Sequence, residues 1–95
     1  MALYKLICTR NMDSTPTCVG YLLKEIERRW GQFAAFEEDT NAALLSIQNY
    51  IDYASGFVSF RGVRIGTSIR NRQLDVYDRT TLRTIAQITY KPLNA

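Results

Sequence analysis

The chain has 95 residues, of which 46% are hydrophobic and 22% charged, and it contains no histidine. A chain of this length folds around one core, so we expect a single domain spanning residues 1–95, with no separate cofactor domain. The absence of histidine excludes Ser-His-Asp and Cys-His catalysis and histidine-ligated zinc. Twelve basic and nine acidic residues give a net charge of +3, which by itself indicates only a mild preference for anionic partners.

The first half of the sequence predicts one strand and two amphipathic helices. Residues 3–9 are rich in strand-forming side chains and predict a central strand. A first helix spans residues 15–31, from a Thr-Pro start to a terminating glycine, with apolar residues at helical spacing between them. Residues 32–38 fit either a short strand or a helical connector. A second apolar stripe at helical spacing, within residues 39–56, runs from an Asp or Thr cap to a Ser-Gly end.

The second half predicts strands, because the spacing of its apolar residues changes from 3.6 to 2. The strands are expected at residues 57–60, 63–70, 74–77 and 82–90, with Pro92 ending the last one. The element order is then β-α-α-β-β-β-β. Two helices packed on one face of a mostly antiparallel sheet are the simplest arrangement, since the other face can remain in water. The expected fold is a single two-layer α+β domain.

No residue pattern indicates catalysis, a metal or a cofactor. The adjacent carboxylates of residues 37–39 diverge in space and suit the start of a helix. Asp75 and Asp78 flank a predicted turn, where aspartate is common. The stretch 62–68 contains two glycines and two hydroxyl residues, but it lacks the lysine and the following helix of a phosphate-binding loop. We therefore expect a non-enzymatic protein without metal or cofactor.

Cysteine content and the first residues of the chain favour the cytoplasm. Cys8 and Cys18 are ten positions apart and form no zinc-binding pattern, so we expect two reduced thiols. We expect no secretory signal, because the chain enters the first strand directly, and the apolar run of that strand is far too short to span a bilayer. The sequence thus predicts no membrane association.

The charge is distributed unevenly along the chain. Residues 1–56 hold five basic and seven acidic side chains, a net charge of −2, whereas residues 57–95 hold seven basic and two acidic ones, a net charge of +5. Six of those seven basic residues are arginine, which forms bidentate contacts with carboxylates and phosphates. Charges on a wet sheet face also protect against aggregation, but solubility alone does not require one sign.

Alternation along the predicted strands places much of this charge on one surface. If the isoleucines of the 63–70 strand face the helices, Arg64 and Arg70 face away from them. In the same way, Leu82 facing inward would put Arg83 outward. The predicted partner-binding residues on this face are Arg64, Arg70, Arg72, Tyr77, Arg79 and Arg83.

A basic face without a catalytic group indicates a binding module, and two kinds of partner are compatible with it. The first hypothesis is docking onto an acidic protein surface, as a regulator, inhibitor or assembly subunit. Phages use small single-domain proteins of the same size and character to block host or defence machinery, and inhibitors of CRISPR complexes are among them. This analogy does not rest on any particular residue. The alternative is direct binding of DNA or RNA through the same face.

A homodimer is compatible with either hypothesis. The helical half holds more aromatic side chains than two short helices need to cover a small sheet, and an exposed share of them would form a contact patch for a second copy. The candidates for self-association are Trp30, Phe33, Phe36, Tyr50 and Tyr53.

Overall fold

The computed structural model describes residues 2–11, 17–57 and 64–93. Within these ranges the chain forms two helices and five strands. In chain order they are β1 (Ala2–Arg10), α1 (Thr17–Trp30), β2 (Gln32–Ala35), α2 (Glu37–Phe57), β3 (Ile65–Arg70), β4 (Gln73–Asp78) and β5 (Thr84–Pro92). The predicted α+β class is confirmed.

One antiparallel sheet contains all five strands in the order β2-β1-β5-β4-β3. The central strands β1 and β5 pair over residues 4–10 and 86–92. β2 is short and pairs only with residues 2–5 of β1, so no strand of the described chain covers the rest of that edge. The antiparallel sheet predicted from the alternating pattern is confirmed.

Three details refine the predicted boundaries. Residues 32–35, which fitted either a strand or a connector, form β2 between the helices, so the order along the described chain is β-α-β-α-β-β-β. Phe57, the first residue of the short strand expected at 57–60, is instead the last residue of α2, and the other three positions lie outside the described residues. β5 begins at Thr84, two residues later than expected, and includes Pro92.

Local contacts set where the helices begin and end. α2 begins at Glu37, two residues before Asp39, the first of the two predicted caps. Asp39 lies within the first turn of the helix and caps the helix from that position. Its Oδ2 accepts a hydrogen bond from the Phe36 amide at 3.4 Å, while the Phe36 carbonyl accepts one from the Asp39 amide at 3.1 Å. α1 ends before Gly31, where a Cβ would stand 2.5 Å from the carbonyl oxygen of Glu27, so only glycine fits that turn.

The core lies between the helices and one face of the sheet. The helices bury Val19, Leu23, Ile26, Leu44, Ile47 and Ile51. Alternate residues of the sheet meet them, among them Leu6, Leu74, Val76, Ile88 and Tyr90. Each such side chain contributes about 1.5–3 kcal/mol on burial. On the same inner face, Thr67 of β3 donates a hydrogen bond to Asp52 of α2 at 3.3 Å. Both helices therefore pack on the inner face, and the opposite face is the outer face of the sheet.

Candidate partner-binding site

The centre of the outer face is mainly polar, with one carboxylate, one guanidinium group and one apolar side chain. One central row holds Thr9, Gln87, Asp75 and Ser68, and the next row holds Ile7, Thr89, Gln73 and Arg70. Asp75 is the one carboxylate among these eight, and Gln73 Nε2 donates a hydrogen bond to its Oδ1 at 2.9 Å. The basic residues predicted for this face lie instead towards the two ends of the strands.

The predicted arginines form two groups at opposite ends of β3 and β4. Arg64, Arg79 and Arg83 form the loop group, beside the β4–β5 connection, where the Arg79 amide donates a hydrogen bond to the Arg64 carbonyl at 2.8 Å. Arg70 and Arg72 form the hairpin group, at the β3–β4 turn. The six residues of β3 separate the groups by about 20 Å. All five side chains are exposed, but they do not form the single field that the sequence predicted.

A β-bulge changes the register next to the loop group. The pairing of β4 with β5 shifts between Val76 and Tyr77, and Ile85 is the extra residue, which is buried. The prediction that Leu82 faces inward is therefore wrong, because Leu82 precedes β5 and 75% of its surface is exposed. Arg83 is exposed as predicted, although it lies in the loop and not on the strand.

Hydrogen bonds hold the β4–β5 loop in one conformation. The Asp78 carbonyl accepts from the Leu82 amide at 2.7 Å, and the Asp78 amide donates to the Arg83 carbonyl at 2.9 Å. The carboxylate of the same aspartate accepts from the amide of Thr80 at 2.8 Å and from that of Thr81 at 3.3 Å. Asp78, which the sequence placed only at a turn, therefore organises the part of the chain that carries the loop group.

Ion pairing distinguishes the described arginines of the first half from four arginines of the second. Glu25 binds Arg28 at 2.5 Å and Arg29 at 2.9 Å, and Glu27 binds Arg10 at 3.4 Å. These cations are neutralised within the molecule. Within the described residues, no ion pair reaches the exposed guanidinium groups of Arg64, Arg70, Arg79 and Arg83.

Two lysines join the hairpin group, and only the strand register reveals them. Lys5 of β1 lies directly opposite Lys91 of β5 on the outer face. This pair lies next to the row of paired residues that contains Arg70. Like charges in this position repel each other unless an anion lies between them. The two lysines are near opposite ends of the sequence, so no local pattern could have paired them.

Tyr77, the predicted centre of the face, covers a glycine of the neighbouring strand. It pairs with Gly66 of β3, and a Cβ on residue 66 would stand 2.6 Å from Tyr77 Cε2. The ring therefore lies against the backbone of β3, and Gly66 is buried although it is on the solvent side. Tyr77 is half-buried, so the part of its ring that a partner could contact is limited.

The structure does not bring the four predicted self-association residues with described side chains into one patch. Trp30 and Tyr50 are half-buried against the core, with ring centroids 5.4 Å apart. Phe36 and Tyr53 are 57% and 66% exposed, but they lie near opposite ends of α2, roughly 25 Å apart along its axis. The side chain of Phe33 lies outside the described residues.

An open groove of about 500 Å³ lies where α1 meets the β1–β2 edge, lined by Lys5, Leu6, Glu27, Arg28, Arg29, Gly31 and Gln32. Its arginines are tied to Glu25, which limits their reach towards a ligand.

Cys8 on the inner face of β1 is a free thiol, and burial raises its pKa, with Glu27 adding to the effect. The side chain of Cys18 lies outside the described residues.

Among the described residues, no group of three or more cysteine and carboxylate side chains is arranged to hold a metal ion. No helix in that part of the chain is long and apolar enough to cross a membrane. Comparison with known protein families, curated proteins and solved structures finds no match to this chain.

Proposed function

We propose that the protein is a non-catalytic binding module that docks its arginine-bearing outer face onto an acidic surface of another protein, as a regulator, inhibitor or assembly subunit in the cytoplasm. The observation that carries this proposal is the contrast in ion pairing. Arg10 of β1 and two arginines of α1 have carboxylate partners in the same chain, and four arginines of the sheet half have none among the described residues. An arginine without an internal partner offers its full bidentate geometry to an external carboxylate.

The centre of the outer face favours a protein over a nucleic acid. Asp75 lies between the two arginine groups and would repel a phosphate backbone that crossed from one to the other. Most of the remaining central side chains are amides and hydroxyls, which hydrogen-bond readily across a polar protein interface, and Ile7 adds an apolar contact. Tyr77 is held against Gly66 and is the one aromatic side chain on the described part of β4. A single ring in this position offers little surface on which bases could stack.

The test compares two variants with the same net charge. Arg64, Arg70 and Arg83 are replaced by glutamine in one, and Lys24, Arg28 and Arg29 of α1 are replaced by glutamine in the other. Both changes remove three positive charges. Tagged forms of both variants and of the wild type are used to capture partners from the native cell, with and without nuclease, and the captured protein is then purified for titration.

We expect the first variant to bind that protein at least ten-fold more weakly than the wild type, because it removes contacts at the interface. The second should bind within about two-fold, since net charge alone acts weakly at physiological salt. Equal weakening by both variants would contradict the assigned face. If all binding disappears on nuclease treatment and falls steeply with salt, the ligand is a nucleic acid.

A further inference from the structure

Leu82 is the most exposed of the large hydrophobic side chains on the described surface, at 75%. Its backbone has φ of 62°, in the left-handed region that glycine and asparagine adopt readily and leucine does not. Both properties oppose folding stability, because the side chain gains nothing from burial and the backbone is strained. A glycine at this position would adopt the same backbone conformation with less strain.

The loop that displays Leu82 is held by internal hydrogen bonds and is basic. Its amide is anchored to the Asp78 carbonyl at 2.7 Å, so the side chain projects from a fixed backbone. The three arginines of the loop group belong to the same end of the sheet: Arg83 follows Leu82 directly, and Arg79 and Arg64 are joined by a backbone hydrogen bond at the base of the same loop. An apolar side chain fixed in advance among cations loses little conformational entropy on binding.

We propose that Leu82 is the anchor of the interface, and that the partner presents an apolar pocket rimmed by aspartate or glutamate. Leu82 enters the pocket, and the arginines of the loop group bind the carboxylates of its rim. Central apolar anchors with a polar surround carry most of the binding energy in many interfaces. The inference rests on the proposed function, and it assigns the loop end of the outer face, not the hairpin end, as the centre of contact.

The structure offers a variant that separates binding from folding. Leu82→Gly removes the side chain and relieves the left-handed strain, so we expect its melting temperature to be at least as high as that of the wild type, with a rise of about 4 °C or more if the strain is fully released. Leu82→Ala removes most of the side chain and keeps the strain. Leu45→Ala is the control, because Leu45 is an exposed leucine on α2, far from the loop in the fold.

The partner is identified by placing the photo-crosslinking residue benzoylphenylalanine at position 82, and at position 45 as control, in the native cell. The protein crosslinked from position 82 is then purified and titrated calorimetrically. We expect both Leu82 variants to bind it at least ten-fold more weakly, the Leu45 variant to bind like the wild type, and the crosslinked peptide to contain acidic residues.

The inference is overturned if position 82 crosslinks to nothing, to nucleic acid or to a second copy of this chain. It is equally overturned if Leu82→Gly binds the partner like the wild type. In that last case, weaker binding by the variant with glutamine at Arg64, Arg70 and Arg83 would leave the proposed function standing. If that variant also binds normally, the proposed function fails together with the inference.

Discussion

Gly66→Ala tests how tightly the ring of Tyr77 lies against β3. A Cβ on residue 66 would stand 2.6 Å from Tyr77 Cε2 and 2.7 Å from its hydroxyl oxygen, well inside van der Waals contact. The ring must therefore swing away, which loses a cross-strand aromatic contact and uncovers the backbone of β3. We expect the free energy of unfolding to fall by about 1–2 kcal/mol.

The effect should change sign when the ring is absent. In a Tyr77→Ala background the new methyl group meets no ring, and alanine stabilises a strand relative to glycine by about 0.5–1 kcal/mol. The double-mutant cycle should therefore show a coupling of about 2 kcal/mol between the two positions. Urea unfolding of the wild type, the two single variants and the double variant measures all four free energies.

Gly20→Ala serves as the control for the general effect of replacing glycine. A Cβ on Gly20 in α1 has no neighbour within 4 Å, so this variant should be more stable than the wild type by about 0.5–1 kcal/mol in both backgrounds. If Gly66→Ala behaves in the same way with and without Tyr77, the ring does not occupy the space above β3 and the reasoning is refuted.

Two further predictions concern pH. Burial raises the pKa of Tyr90 to about 12, and its hydroxyl donates to the Trp30 carbonyl at 2.6 Å; Tyr90→Phe should cost about 1 kcal/mol at pH 7. Because the folded pKa is raised, this stabilisation is present below pH 10 and is lost towards pH 12, so chemical unfolding should show a weaker alkaline decline in the variant. Hydrogen bonds from Arg28 and then Arg29 lower the pKa of Glu25 to about 2, so this carboxylate stabilises the fold above pH 4.5 and less as the pH falls towards 2. Glu25→Gln should flatten the melting-temperature profile in that acidic window, and an unchanged profile would contradict the ion pairs at α1.

The α+β class and the antiparallel sheet could be predicted because they depend on the period of apolar residues. That period is 3.6 along α1 and α2 and 2 along β3 and β4, and burial on one side enforces it. The sequence does not decide between a strand and a connector at residues 32–35, because four residues are too few to show a period. Its position became clear only from its pairing with β1.

The sequence predicts which residues are exposed at the candidate site but not how the fold arranges them. Alternation correctly indicated exposed side chains at Arg64 and Arg70, whereas Arg83 is exposed because it lies in the loop and not because of the alternation. It could not foresee the bulge at Ile85, since one inserted residue reverses the face of everything before it and leaves no local signal. For that reason Leu82 was assigned to the core. The pairing of Lys5 with Lys91 was also invisible, because it depends on the register of two strands from opposite ends of the chain.

The shortness of β2 leaves part of β1 as an open sheet edge, which in many proteins is a template for strand addition and aggregation. Arg10 lies on the inner face at the far end of that edge, where it forms an ion pair with Glu27 of α1 at 3.4 Å. An inward-directed charge on an edge strand disfavours an incoming strand, which would have to bury that charge. This ion pair, which contributes little to stability at a partly exposed position, thus helps to keep the edge of β1 from pairing with a second copy of the chain.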